Sequence, residues 1–396
     1  MNNSSSFSSF KKNIRTSKTL PAARLSPYNG QLLLSTGVPS LDDILTFQCG
    51  GLPIGTILLI KEDKHTGYSK LLLKYFLSQG IASGHHVLFS STEEDPSNFI
   101  KGLPWITNDD SNDLDDKAEA DDKMKIAWRY KEMKKFESGI KTTPTIFKNK
   151  QIPITGSQRQ EQPFCYTFDL TKSIPQQSID SASITLVDAT KWADEQHDES
   201  MYDKLLSEIR RVIDQNHFSS SATPSTGVEK NALRIGIHSI ASPLWNSNSP
   251  HDLYRFFHAL RGLLRNSSGL SVITIPAHLY TSNLEPCSFI RRIEHISDAV
   301  VELESFAGSS ATVNNVYSAS YHGLFHVHKL PTINSLISPS VKLSILSGGG
   351  GNNLGFKLRR KKFSIETFHL PPEGGLTVRK VAKSGVDEGK KDPYDF

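Results

Sequence analysis

Residues 58–80 read LLIKEDKHTGYSKLLLKYFLSQG, and the rest of the chain is best read outward from them. Leu58, Leu59 and Ile60 form an apolar run of strand type. A polar loop follows, and a Gly-Tyr-Ser turn opens a leucine-rich helix. This is the order of a nucleotide-binding phosphate loop, G-x-x-x-x-G-K-[ST]. Laid on that pattern, Gly67 takes the second glycine and Ser69 the closing hydroxyl. Glu62 stands where the first glycine belongs, and Tyr68 where the lysine belongs. A working loop needs backbone N–H groups curled round the phosphates, a helix N-terminus, a lysine on the outer phosphates and a hydroxyl near Mg²⁺. Tyr68 brings no charge and Glu62 brings the wrong one. Losing that lysine removes several kcal/mol of transition-state stabilisation. Lys61, Lys64 and Lys70 are the nearby cations, and Lys64, inside the loop, is the candidate substitute.

The flanking segments extend the strand–helix alternation. STGVPSLDDIL (35–45) reads as a turn and a short helix capped by Ser40, with Asp42 and Asp43 in its first turn. CGGLPIGTILLI (49–60) is a glycine turn feeding a buried strand, and HHVLFSSTEEDP (85–96) is a second strand ending in acids. Apolar spacing of three and four predicts helices over about 199–216 and 251–266. ALRIGIHSI (232–240), LSVITIPAH (270–278), DAVVELESF (298–306) and YHGLFHVHKL (321–330) are the remaining strands. Repeated strand–helix–strand units predict an α/β fold, a mostly parallel central sheet flanked by helices.

Three regions stand apart by composition. Residues 1–30 form a basic, Ser-rich arm of disordered or transit-peptide type. The core is expected over 31–345, with polar insertions at about 107–123 and 218–229; MKIAWRYKEM (124–133) returns to structure between them. Residues 346–396 bring a glycine linker, a basic segment and a tail. The 396-residue chain carries a formal net charge of +4, which argues only weakly for an anionic partner. Its three cysteines, Cys49, Cys165 and Cys287, are scattered. They argue for a reducing compartment and against a metal site. No apolar run reaches the roughly 20 residues a membrane helix needs, so a soluble chain is expected.

Candidate acid positions of an ATPase fall at Glu93 and Glu94, after the second strand, and at His238, where a later strand should end in an Mg²⁺-water acid. Glu93, Glu94 and Asp95 fit the first turn of a helix equally well. His238 fits a structural role, and Asp188 in SITLVDAT has no clear strand–helix frame around it. Basic candidates for RNA or partner contact are Arg291 and Arg292, and the cluster Lys357, Arg359, Arg360, Lys361 and Lys362. Phe356 and Phe363 flank that cluster as potential stacking rings. The same charges suit a partner subunit or a nuclear-import signal. His258, Arg261 and Arg265 share the polar side of the 251–266 helix and fit a solvated face.

The segments STGVPSLDDIL (35–45), GGLPIGTILLIKEDKHTGYSKLLLKYF (50–76), KIAWRY (125–130), TFDLTK (167–172), IHSIASPLW (237–245) and GFKLRRKKFSIETFHLPPE (355–373) together resemble the Elongator complex protein 4 family. TFQC before Gly50 departs from the family's run of glycines. The resemblance implies a RecA-like fold with a degenerate phosphate loop. It implies a non-catalytic subunit that builds a hetero-hexameric ring with Elongator subunits 5 and 6. That ring joins the remaining Elongator subunits, binds tRNA and supports wobble uridine (U34) modification; the complex is also linked to transcription elongation. No cofactor is implied for this chain alone, ATP being confined to ring interfaces, and residence is cytoplasmic and nuclear. In LSVITIPAH and the residues after it, RecA-like rings put a pore-facing loop, which gives Arg291 and Arg292 their interest. The rival expectations are an active RecA/KaiC-type ATPase using Lys64 and a pure scaffold without RNA contact.

Overall fold

The computed structural model describes residues 20–27, 30–46, 50–107, 162–192, 199–220, 230–247, 249–280, 288–307, 321–332 and 354–367. Residues 1–19 of the basic arm, the acidic insertion at 108–123, KIAWRY, the glycine run and the final tail lie outside these residues, whereas Ala23–Leu25 of that arm pair antiparallel with Leu32–Leu34. Among the described residues the strands are β1 (Ala23–Leu25), β2 (Leu32–Leu34), β3 (Leu52–Pro53), β4 (Ile57–Lys61), β5 (His86–Ser91), β6 (Pro104–Ile106), β7 (Phe168–Ser173), β8 (Ile184–Asp188), β9 (Leu233–His238), β10 (Gly269–Ile275), β11 (Ala299–Ser305), β12 (Gly323–Lys329), β13 (Leu354–Leu358) and β14 (Phe363–Thr367). The helices are α1 (Pro39–Leu45), α2 (Tyr68–Ala82), α3 (Pro96–Lys101), α4 (Gln176–Ser181), α5 (Met201–Gln215), α6 (Pro250–Arg265) and α7 (Ser288–Ile296).

Nine of the described strands form one sheet in the order β14-β13-β12-β11-β4-β10-β9-β5-β8. The run from β11 to β8 is parallel throughout, while β12, β13 and β14 add in antiparallel sense. The central strands β4, β5, β9 and β10 are almost wholly buried, as a parallel sheet covered on both faces requires. One core lies under α1 and α2 and includes Leu73, Phe76 and Phe89; the other lies under α5, α6 and α7 and includes Ile209, Phe257 and Ile293. The sheet is mixed but largely parallel, as the alternation of strands and helices led us to expect.

The 35–45 motif departs from its sequence reading. Helix α1 starts at Pro39 behind Val38, without a side-chain cap. Ser40 instead accepts a hydrogen bond from the Ile365 N–H at 3.0 Å. Asp42 does stand in the first turn of α1, as expected. It is buried, and its carboxylate accepts from the Thr36 N–H and hydroxyl, both at 2.7 Å, and from the Ser35 hydroxyl. Burial pushes its pKa up to about 6 against these hydrogen bonds. Nearby, fully buried Arg234 on β9 donates to His85 Nδ1 at 2.9 Å and to the Ser35 carbonyl at 2.8 Å. Burial, with Arg234 adding to it, lowers the His85 pKa to about 3, so His85 is a neutral acceptor there. A Cβ at Gly80 would lie 2.7 Å from Arg234 Cδ, so only glycine lets α2 approach this side chain.

The basic segment 354–367 is not a tail apart from the core. It is a hairpin of the main sheet, with Phe356 and Phe363 stacked on each other and buried. Their apolar faces belong to the core rather than to a passing base. An added methyl at Gly323, where β12 meets β13, would sit 2.2 Å from the Glu304 carbonyl oxygen and 2.6 Å from the Phe356 ring. Gly323→Ala is expected to destabilise the protein by about 1–3 kcal/mol, read as a lowered midpoint in thermal or urea unfolding.

Candidate functional site

The loop between β4 and α2 opens at the carboxyl ends of the parallel strands, where ligands of open α/β sheets bind. The Glu62 N–H continues the ladder by donating to the Ile275 carbonyl at 2.9 Å. Its carboxylate turns inward and accepts from the Ser239 hydroxyl at 3.3 Å. Burial, with Glu93 adding like charge, raises the Glu62 pKa to about 7. The loop then closes on Asp63, a residue the sequence pattern did not single out. Asp63 Oδ2 accepts from the His65 N–H at 3.2 Å and from the Thr66 hydroxyl at 2.7 Å. A carboxylate thus takes up a backbone donor of the kind a phosphate would use. Gly67 stands just before α2 with φ −99° and open space where a Cβ would be, so the turn does not require glycine.

The cations near the loop are placed differently from one another. Lys61 pairs with Glu302 at 2.6 Å and Glu294 at 3.3 Å. Against burial, the bond to His328 and the charge of Lys61 bring the Glu302 pKa down to about 2. Lys70 pairs with Glu94. Lys64 is exposed. Ser69 is buried in the first turn of α2. Tyr68, in the lysine's place, packs edge-on against Phe356 with ring centroids 4.8 Å apart. Burial raises its phenol pKa, and Asp63 adds to the effect. A residue expected to face phosphate therefore anchors the β13–β14 hairpin. That hairpin is held further by the Phe363 N–H donating to the Tyr75 hydroxyl at 3.1 Å and by the Leu170 N–H donating to the Lys361 carbonyl at 2.9 Å.

The candidate acids do meet. Ser91 and His238 are register partners on β5 and β9, and His238 Nδ1 lies 3.3 Å from the Ser91 hydroxyl and 4.0 Å from Glu93 Oε2. Burial lowers the His238 pKa while Glu93 opposes. Neither Glu93 nor Glu94 is inside the next helix: α3 starts at Pro96 and Asp95 caps it, accepting from the Ser97 and Asn98 N–H groups. Glu62, Glu93, Glu94, His238 and Lys70 thus form one charged cluster beyond the sheet edge. Asp188 does end a strand, β8, and spends its carboxylate on Thr190 and Lys191 in the turn that follows. Its frame was hard to see because β8 is a five-residue edge strand, half-exposed along most of its length. Among the described residues, no group of three or more His, Cys, Asp or Glu side chains is placed to hold a metal.

The basic candidates separate. Lys357 pairs across the hairpin with Glu366 at 2.9 Å and lies over the Tyr321 ring. Arg359 and Lys362 face each other at the hairpin turn, the Arg359 N–H donating to the Lys362 carbonyl, and Arg360 and Lys361 are exposed at its tip. Arg291 and Arg292 are exposed on α7, and Arg292 stands over Tyr254. Arg261 and Arg265, read as a solvated face, both pair with buried Asp298, at 3.3 and 2.6 Å. Asp298 also accepts from the Ile57 N–H at 3.0 Å. That three-element clamp joins residues far apart in sequence and left no local signal.

Fold and site together define an α/β protein in which a strand–loop–helix turn at the sheet's carboxyl edge is closed by its own acids and covered by a C-terminal hairpin. The chain matches the PAXNEB protein family over residues 16–396. It is 39% identical to Elongator complex protein 4 of Xenopus laevis, over 96% of this chain and 90% of that protein. It is 36% identical to Elongator complex protein 4 of Homo sapiens, over 94% and 85%. The protein of the same name from Saccharomyces cerevisiae is 23% identical, over 88% and 75%. The chain belongs to the PAXNEB family, the family of Elongator complex protein 4.

The raised pKa of Glu62 has a measurable sign. Its contribution to stability is complete below its ordinary pKa of 4.5 and is lost as pH rises through about 7. Glu62→Gln is expected to unfold at a higher temperature than the wild type at pH 8, by an amount on the order of 1–3 kcal/mol. The two proteins should converge near pH 4.5 in melts followed by circular dichroism.

Proposed function

We propose that this chain is a non-catalytic subunit of an Elongator complex. Its core is RecA-like with a degenerate phosphate loop, and it forms a hetero-hexameric ring with subunits 5 and 6. The ring holds tRNA while another subunit carries out wobble uridine (U34) chemistry, in the cytoplasm and nucleus. The observation that carries this reading is the family match along nearly the whole chain. The closed loop supports the non-catalytic part. Asp63 and Glu62 set two carboxyl groups where a triphosphate would need cations, and Tyr68 is committed to the hairpin. Like charges at such separations repel by several kcal/mol in a partly desolvated site. Nucleotide, on this reading, belongs to interfaces that neighbouring subunits complete.

The exposed hairpin tip supports the RNA part. Arg360 and Lys361 project from a rigid two-stranded edge rather than from a loose tail. Rigid cations reach a phosphate backbone without first paying to order a tail. No side chain there offers sequence-specific readout, so shape and phosphate contacts carry the binding.

The test uses the ring reconstituted with its two partner subunits and unmodified tRNA, titrated at several salt concentrations. Arg360→Ala with Lys361→Ala is expected to weaken binding and to reduce the slope of log K against log salt by about 1–2. An unchanged slope removes the hairpin from the RNA interface, and a wild-type ring that does not bind tRNA removes the RNA reading altogether. The active-ATPase reading is separated by incubating the purified chain with Mg²⁺ and ATP. We expect no turnover above the rate without protein and no effect of Lys64→Ala; turnover abolished by that change would reinstate a working site.

A further inference from the structure

A cavity of about 600 Å³ lies beyond the carboxyl ends of β9 and β10, among residues of the IHSIASPLW motif, α6 and α7. It has no part in the charged cluster at Glu62. One wall is aromatic: Tyr254, Phe289 and Tyr280 form a connected set, with centroids 5.5 Å apart for the first pair and 4.8 Å for the second. Arg292 lines the same cavity and stands 5.8 Å over the Tyr254 ring. None of the described lining residues is acidic.

Two helix starts also converge here. Ser249 and Pro250, at the beginning of the 16-residue α6, and Ser288, at the beginning of the nine-residue α7, all line the cavity. The α6 start is capped within its own turn, the Ser249 hydroxyl accepting from the His251 N–H at 3.2 Å, so the partial positive charge at the mouth of the space comes from the start of α7. The lining also holds an unanswered polar group. Ser242 is 95% buried, being 5% exposed, and its hydroxyl has no hydrogen-bond partner. Buried polar atoms without partners are rare and ask for a ligand or an unseen donor. The backbone around it is strained as well: Ser239, Ala241 and Asn246 have φ of 51°, 66° and 31°, a conformation that non-glycine residues adopt only when the surroundings impose it.

We propose that this cavity seats one nucleotide 5′-monophosphate unit. The base lies against Tyr254, Phe289 and Tyr280, and the phosphate lies toward Arg292 and the start of α7. A flat ring system matches the aromatic wall, with stacking that tolerates any base. A phosphate matches Arg292 set beside the start of α7, while Asp252 behind the lining is engaged by the Ser247 hydroxyl at 3.2 Å and by Arg255 at 3.0 Å. The volume is in the range of sites that enclose a small organic ligand. An isolated inorganic anion would leave the ring wall unused, and an apolar ligand would leave Arg292 and Ser242 unused. The unit comes either from a free nucleotide or from a splayed-out nucleotide of RNA; the RNA source rests on the tRNA reading above, and the free-nucleotide source does not.

The test titrates the full chain with uridine 5′-monophosphate, uridine and inorganic phosphate, and titrates the reconstituted ring with an anticodon stem-loop RNA. Uridine monophosphate is expected to bind more tightly than either of its parts. Arg292→Ala should weaken it about tenfold, as loss of a charge-assisted hydrogen bond does, with little effect on uridine. Phe289→Leu, which keeps an apolar side chain on α7, should weaken both nucleotide and nucleoside. RNA that is displaced by the mononucleotide and weakened by Arg292→Ala makes RNA the source; RNA binding indifferent to both makes it the free nucleotide. Absence of mononucleotide binding at millimolar concentration, binding equal in both variants and wild type, or phosphate binding as tight as the mononucleotide would overturn the proposal. Loss of RNA binding with mononucleotide binding intact would instead count against the tRNA reading alone.

Discussion

The seating of α2 governs everything at the carboxyl edge of the sheet. Two thirds of this helix is buried, because the sheet covers one side while β6 and the β13–β14 hairpin meet it elsewhere. Tyr68 and Tyr75 are its contacts to the hairpin, one through an aromatic edge and one through a hydroxyl. Ser40 on α1 reaches the same hairpin through Ile365. The three contacts join segments from opposite ends of the chain, so the N-terminal motif, the central helix and the basic hairpin stand or fall as one packing unit.

That packing accounts for a tyrosine at position 68. A helix start that must bury against Phe356 is better served by a ring than by an ammonium group, which would lose hydration without a partner. The loop's own donors, the His65 N–H and the Thr66 hydroxyl, are taken up by Asp63. Glu62 can then lie inward at the strand end, its pKa raised by burial. The acids and the tyrosine are therefore parts of one arrangement.

Charge elsewhere follows the same economy. Lys61, Lys70, Lys357, Arg261 and Arg265 each have a carboxylate partner. Arg234 is buried with His85 and lies near Asp42. A mildly basic chain thus spends much of its positive charge on itself. Exposed pairs of cations stand at the hairpin tip, Arg360 and Lys361, and on α7, Arg291 and Arg292.

The sequence by itself determined the fold class, because the periodicity of strand and helix is local: β4, α2, β5, α5, β9, α6, β10 and β11 lie where apolar spacing placed them. It also marked Glu62 and Tyr68 as misfits, since a broken pattern is visible without coordinates. Only the tertiary structure decided what those two residues and their neighbours do. Asp298 as a clamp for two arginines, Phe356 as core against Tyr68, and the burial of Asp42 near Arg234 all depend on residues tens to hundreds of positions apart. Burial and pairing are set by those distant neighbours, and no window of local sequence carries them.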